Sequence, residues 1–299
     1  MSNLVDIKEE WYTTKHSNTQ LLLRIWSPKD TQPNTVVIFL HGFGEHTGRY
    51  LEFFEKFAQN GIKVISFDQR GHGQTGKKIN KIGVGSSTKI LFKDVDELIE
   101  KYRDATANLV LMGHSYGGLA AFNYAANGSQ RNLLDGLIGA SPGFIVPPEI
   151  LPHPIIVFIL KRLVHILPNF VTKANIDASL ISRDEAEIKK YKEDPLITDK
   201  SSLIYANDVI NPGSINEDCK KIQVPSVFLV HGTADKVTIP SGSKHIYETM
   251  SKSHPNISIK WFEGGYHELH NDLCKDEISN DYITWIRNLK PKLETASKL

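Results

Sequence analysis

Ser115 stands in Gly113-His114-Ser115-Tyr116-Gly117, with a glycine two positions away on each side. A serine hydroxyl is a weak nucleophile. It needs a base to take its proton and a third group to orient that base. Two later segments supply these types: His231-Gly232-Thr233-Ala234-Asp235 offers a carboxylate and Gly264-Gly265-Tyr266-His267 an imidazole. The chain order serine, acid, histidine suits acyl transfer from a serine raised on a sharp strand-to-helix turn. The expected roles are Ser115 as nucleophile, His267 as general base and Asp235 as the group that orients it. The oxyanion formed in such a reaction needs two backbone N–H donors. The residue after the nucleophile, Tyr116, is expected to provide one. Phe43, in His41-Gly42-Phe43-Gly44, is expected to provide the other.

Elements of a definite kind must position these groups. Val36 to Leu40, Ile62 to Phe67, Leu109 to Met112, Gly136 to Gly139, Ser226 to Val230 and Ile257 to Phe262 are continuous apolar runs. Strands buried on both faces of a parallel sheet read this way. Helical patterns separate them: Tyr50 to Gln59, Ile90 to Tyr102, Leu119 to Ala126, Ser241 to Met250 and Asp276 to Leu289. The alternation predicts an α/β fold, a mostly parallel central sheet flanked by helices. Tyr12 to Thr14 and Leu21 to Trp26 read as antiparallel edge strands. Ser115, Asp235 and His267 then all follow strands, at the carboxyl end of the sheet where ligands gather. From Ile145 to Ala206 helical patterns and prolines replace the alternation, and no strand is expected. Residues 145–206 therefore read as a helical cap inserted in a core made of residues 1–144 and 207–299.

The motifs together resemble the α/β-hydrolase superfamily, and within it the monoacylglycerol lipases and lysophospholipase-like esterases. His41-Gly-Phe-Gly-Glu-His46 with Gly48-Arg49-Tyr50, Phe67-Asp-Gln-Arg-Gly-His-Gly73, Gly113-His-Ser-Tyr-Gly-Gly118 and Gly265-Tyr-His-Glu-Leu-His270 carry the resemblance. In the cap, Ile181-Ser-Arg-Asp184, Tyr191 and Asp194-Pro-Leu196 are similar to the family's pattern. Many members have Met where Tyr116 stands; the donor there is backbone, so only pocket shape changes. The resemblance implies a monoacylglycerol lipase releasing fatty acid and glycerol from a lipid ester without a cofactor or metal. It implies a glycerol-binding end at Glu45, Arg49 and His270. It also implies an acyl tunnel under the cap, for which Ile145, Val146, Ile150, Leu151, Ile155 and Phe158 are the apolar candidates. The same residues suit a cap that rests transiently on a lipid surface, with Lys161 and Arg162 at the headgroups. A carboxylesterase or an acyl-CoA thioesterase using the same Ser115, His267 and Asp235 is the alternative chemistry.

Other function classes fare worse. A net charge of +1 over 299 residues gives no basic footprint for nucleic acid. Cys219 and Cys274 are too few for a disulfide framework or zinc ribbon. The apolar stretch from Phe144 to Leu160 contains Pro147, Pro148, Pro152 and Pro154, so it does not read as a membrane span. Gly71-His-Gly-Gln-Thr-Gly76 formally matches a dinucleotide fingerprint. No helix is expected directly after Gly76, and phosphate binding depends on one. His267-Glu-Leu-His270 lacks the i, i+4 spacing of a zinc pair. A scaffold that has lost catalysis is disfavoured because every catalytic type is present. The N-terminal residues lack the regions of a signal peptide. Ser297-Lys298-Leu299 spells a peroxisomal address, predicting an import receptor as partner and a soluble protein in the peroxisome, otherwise cytoplasmic.

Overall fold

A computed structural model describes residues 4–151, 153–174, 176–210 and 215–290. Its strands are β1 (Val5–Thr13), β2 (Gln20–Pro28), β3 (Thr35–Leu40), β4 (Ile62–Phe67), β5 (Asn108–His114), β6 (Gly136–Ala140), β7 (Val171–Lys173), β8 (Lys200–Ser202), β9 (Ser226–Gly232) and β10 (Ile257–Phe262). Its helices are α1 (Leu51–Gln59), α2 (Gly73–Lys78), α3 (Thr88–Tyr102), α4 (Tyr116–Asn127), α5 (Pro154–Leu163), α6 (Glu185–Glu193), α7 (Leu203–Ile210), α8 (Ile215–Asp218), α9 (Pro240–Met250) and α10 (Lys275–Arg287).

Eight strands form one sheet in the order β1-β2-β4-β3-β5-β6-β9-β10. The pairs β1–β2 and β2–β4 are antiparallel, and the rest of the sheet is parallel. Side chains alternate between two separate cores. Val36, Ile38 and Leu40 of β3 pack with Leu98 of α3, Leu119 of α4 and Ile246 of α9 on one face. Val37 and Phe39 pack with Phe54 of α1 and Ile283 of α10 on the other. This is why β3 and β5 read as unbroken apolar runs: both faces of each strand exclude water. The parallel order sends the loops after β3, β5, β9 and β10 to the same end of the sheet.

Three expectations are corrected. The segment between β6 and β9 is not free of strands, because β7 and β8 pair antiparallel in a small sheet of their own. At three residues each they are too short to show a periodicity. The first edge strand is also longer than expected, beginning at Val5. Finally, a helix does occupy the Gly71–Gly76 region, α2, which starts at Gly73. The place a phosphate would need is taken by Asp68, whose Oδ2 accepts from Gln74 N at 2.7 Å while Oδ1 accepts from Thr47 N and Oγ1 at 2.9 Å. A Cβ on Gly73 would fall 2.2 Å from that carboxylate. An anion-seeking helix start already satisfied by a buried aspartate has no room for a nucleotide.

Candidate active site

Ser115 sits between β5 and α4 with φ +55° and ψ −121°, a strained conformation for a residue with a side chain. The flanking glycines permit it. A Cβ on Gly113 would lie 2.1 Å from Gly117 O, and one on Gly117 would lie 2.1 Å from Leu40 O. The turn is held by Ser115 N donating to Ala140 O (3.0 Å) and Gly143 N donating to Ser115 O (2.9 Å). Because α4 begins at Tyr116, the N–H of Tyr116 is among those with no intrahelical acceptor. The loop after β3 runs directly against this turn: a Cβ on Gly42 would be 3.1 Å from Ser115 Cβ. Gly44, at φ +73°, turns the chain back and leaves Phe43 beside Ser115 in a shared cavity lining.

Asp235 and His267 arrive on the loops after β9 and β10. His267 Nδ1 donates to Asp235 Oδ2 at 2.8 Å, and both residues are buried. Asp235 Oδ1 accepts from Val237 N (2.8 Å) and Thr238 N (3.0 Å). Burial alone would raise the Asp235 carboxyl, but His267 and His231 outweigh it and hold it well below the usual carboxylate range. Ser115 and His267 both line a small cavity with Gly42, Phe43 and Glu45.

Behind that cavity lies a buried charged cluster. Arg49 grips Glu268 through two bonds of 2.5 and 2.7 Å and reaches Glu45 Oε2 at 3.0 Å. Glu45 Oε1 accepts from Gly42 N (2.5 Å) and Tyr50 OH (2.7 Å), with His114 Nδ1 at 3.2 Å. Burial pushes Glu45 up, but the bond from His114 and the charges of His114 and Arg49 hold it well below its ordinary value. His114 responds oppositely: burial lowers it, the bond and charge of Glu45 raise it, and the net direction is up. Its Nε2 faces His267 O at 3.3 Å, so both ring nitrogens meet acceptors. An imidazolium at His114 satisfies both and balances the negative charge left by Glu45, Glu268 and Arg49. His270, pushed down to about 3 by burial and then by His114, stays neutral and stacks on Tyr50 at 4.5 Å.

This changes the reading of Glu45, Arg49 and His270. Of the three, Glu45 lines the cavity at Ser115. Arg49 is taken up by Glu268 and Glu45. His270 faces a separate surface cavity of about 440 Å³ that also touches Arg49. Glu268 and Tyr191 line the Ser115 cavity and were not singled out for a role, although both stand inside motifs quoted above. Tyr191 also covers the Arg49 guanidinium at 4.8 Å.

On the other side of Ser115 lies an apolar cavity of about 300 Å³. Of the expected tunnel residues, Val146, Ile150 and Leu151 line it. Ile145, Ile155 and Phe158 do not. Ile145 packs against Gly242, and Ile155 and Phe158 point outward, 64% and 60% exposed. Lys161 and Arg162 in the last turn of α5 mark its outer face, which Ile155 and Phe158 share at helical spacing, while Leu160 turns inward. Val209 and Ile210 of α7 complete the lining. Tyr205 was also missed: its ring packs on Phe43 (5.7 Å) and on Tyr116 (4.8 Å), bridging the side chains of both expected oxyanion donors. Ser297, Lys298 and Leu299 lie outside the described residues. No helix among the described residues is long and apolar enough to cross a membrane, and no group of three or more His, Cys, Asp or Glu side chains among them is arranged to hold a metal ion.

The sheet, the strained serine turn and the buried His267–Asp235 pair at its carboxyl end define an α/β-hydrolase with a serine-hydrolase type of site. Residues 31–274 match the family model described as "Serine aminopeptidase, S33", and the chain belongs to that family. A Schizosaccharomyces pombe protein provisionally named monoglyceride lipase is 33% identical over 279 residues, covering 92% of this chain and 73% of that one. The monoacylglycerol lipase of Mycolicibacterium smegmatis is 27% identical over 278 residues, covering 89% of this chain and 92% of that one. The crystal structure of Paleococcus ferrophilus monoacylglycerol lipase superposes with a TM-score of 0.76 at 26% identity, covering 95% of this chain and all of that one. The protein is a serine ester hydrolase of this kind.

Proposed function

We propose that the protein is a monoacylglycerol lipase acting through an acyl-enzyme on Ser115. One observation carries this reading: Ser115 lies where an apolar cavity of about 300 Å³ meets a small one that Glu45, Glu268 and Tyr191 line beside Phe43, Ile176, Ile181 and Val237. An ester with one acyl chain and a small polyhydroxy head group has that division. The acyl chain enters between Leu151, Leu160 and Val209, and the head group lies toward Glu45, Glu268 and Tyr191. Ser115 Oγ attacks the acyl carbonyl as His267 takes its proton. Asp235 holds the Nδ1–H tautomer and stabilises the imidazolium. The N–H groups of Phe43 and Tyr116 receive the oxyanion. The tetrahedral intermediate collapses, the ester C–O bond breaks, and His267 returns the proton to the leaving glycerol. Water, deprotonated by the same histidine, then attacks the acyl-enzyme and frees the fatty acid and Ser115.

The test is fatty-acid release from monoacylglycerols of several chain lengths beside acyl-CoA. Release from monoacylglycerol supports the reading. Turnover of acyl-CoA with none of monoacylglycerol replaces it with the thioesterase reading, which keeps Ser115, His267 and Asp235.

Two finer readings belong with it. The outward Ile155, Phe158 and Ile159, beside Lys161 and Arg162, form a face suited to transient contact with a lipid surface. Flotation with liposomes tests it. The Ser297-Lys298-Leu299 tripeptide directs the enzyme to the import receptor and the peroxisome. An N-terminal fluorescent fusion should be punctate and become diffuse when Leu299 is removed; a diffuse signal from both overturns it.

A further inference from the structure

Asp235 is shared by a second histidine. His231, the last residue but one of β9, is fully buried. Its Nε2 lies 3.1 Å from Asp235 Oδ2, the oxygen that also receives His267 Nδ1, and 3.1 Å from Thr238 O. Both are acceptors, so Nε2 carries the proton. Its Nδ1 lies 2.7 Å from the hydroxyl of Ser243, on α9 and itself fully buried. A buried hydroxyl needs an acceptor for its proton, and Nδ1 provides one. Ser243 donating to Nδ1 leaves His231 neutral, as the Nε2–H tautomer.

We propose that His231 is a positioning residue for the acyl-transfer reaction: as a neutral donor locked by Ser243, it draws off part of the charge of Asp235 and so limits how strongly Asp235 holds the proton on His267. Each donor to a carboxylate stabilises its charged form and reduces its pull on the remaining partners. His267 Nδ1, His231 Nε2 and Thr238 Oγ1 (2.9 Å) all meet Oδ2. Less of that charge is then left to the His267 N–H. His231 does this as a neutral ring, because the Ser243 hydroxyl occupies Nδ1; a proton there would put a second positive charge beside the imidazolium formed in the transition state.

The groups facing this unit are few. His267 meets Asp235, the Thr238 hydroxyl (3.3 Å from Nδ1) and the His114 ring, whose centroid is 4.8 Å away. Glu268 follows it in the chain, and Glu45 reaches it only through His114. His231 meets Asp235, Thr238, Ser243 and, from β10, the Trp261 ring at 6.3 Å. Among the described residues, Asp235 is the single charged group bonded to His231, so its removal acts on Asp235 first.

The inference rests on the ester-hydrolase reading, because the pH profile of hydrolysis is its main readout. His231→Phe removes the donor and keeps a ring of similar size; His231→Gln keeps an N–H donor. With a soluble ester, the acid limb of kcat/KM reports the free base. In His231→Phe that limb should move to higher pH by about half a unit to one unit, the size of one neutral hydrogen bond. KM should hold within about twofold, since loss of a positioning bond acts on the chemical step rather than on binding. In His231→Gln the limb should return toward wild type. A role in packing alone would predict the reverse, with the limb unmoved in both folded variants, and that result overturns the proposal. So does an equal shift in both.

Nitrogen-15 NMR of the wild-type resting enzyme provides a readout independent of substrate and of variant folding. His231 should be the neutral Nε2–H tautomer. A His231 in the Nδ1–H form overturns the proposal even if the esterase reading stands. Inactivity of the wild type toward every ester overturns that reading and leaves the tautomer to decide this one.

Discussion

Two stretches of the segment between β6 and β9 are attached to the sheet by different forces. The stretch from Ile181 to Ser202 is strapped by polar bonds. Ile181 O accepts from Glu268 N at 2.7 Å, and Arg183 Nε grips Asp272 at 2.9–3.0 Å. Asp194 meets His46 Nε2 at 2.9 Å, and Thr198 N donates to Gly44 O at 2.9 Å. These bonds land on the loops that carry His267 and Phe43. By contrast, no side-chain hydrogen bond among the described residues ties α5 to those loops. It rests on apolar contact through Leu160 while Ile155 and Phe158 face outward. For the monoacylglycerol substrate proposed above, the difference suits a site that must serve two ends of an amphiphile. Directional bonds fix the polar end, where geometry decides which hydroxyl leaves. Non-directional packing covers the acyl end, where chains of differing length must fit.

The largest expected effect lies at the strapped end. Glu268→Gln leaves the Arg49 guanidinium buried without its main partner, and breaking a buried pair costs about 3–5 kcal/mol. Urea unfolding should show a loss of that order; a loss below about 1 kcal/mol would mean that the buried Arg49–Glu268 pair is not what holds this end together. A smaller effect is expected at the loose end. Leu160→Trp should lower kcat/KM for long-chain esters roughly tenfold and change that for acetyl esters by less than about twofold, as expected when hydrophobic pocket space is lost. Equal losses at both lengths would show that Leu160 does not border the acyl path.

Acid should act on the strapped end next. Glu45 and Glu268 are held below their ordinary value of 4.5, so their contribution is present above about pH 4.5 and lost as pH falls through the lowered values. His270 is pushed from 6.5 down to about 3, so below pH 6.5 the unfolded chain takes up a proton that the fold refuses. Both push stability down with acid. His114, held above 6.5, works the other way, its contribution fading as pH rises through its raised value. Below pH 4.5 the carboxylates add to His270, so thermal unfolding should occur about 5 °C lower at pH 3 than at pH 4.5, and Glu268→Gln should flatten that part of the dependence. The smallest effect is expected outside. Replacing Ile155 and Phe158 together by Ser should change stability by less than about 1 kcal/mol and leave turnover of a soluble ester unchanged, while reducing binding to liposomes.

The same contrast explains what could be read from the sequence. Strands buried on both faces show as unbroken apolar runs, and the turns after them announce themselves by glycines that only close backbone approach requires. That is how β5 and the Gly113–Gly117 turn, and the loops bearing Asp235 and His267, were legible. The charged cluster was not. Glu45, Arg49 and His270 look like free polar groups until the chain brings Glu268 back across 219 positions to Arg49. Nothing local to His231 shows that Ser243 of α9 meets its other nitrogen. In α5 the polar signal is confined to Lys161 and Arg162 in the last turn, and the spacing that puts Ile155 and Phe158 on their face and Leu160 opposite is easily passed over in a run that is otherwise apolar.

The central claim is that Ser115 is the nucleophile of a monoacylglycerol lipase. The most direct test is fatty-acid release from a monoacylglycerol by wild type and Ser115→Ala, matched for fold by circular dichroism. The account predicts release by the wild type and a loss of at least about a thousandfold in the variant. Equal release by both, or none by the wild type, contradicts it.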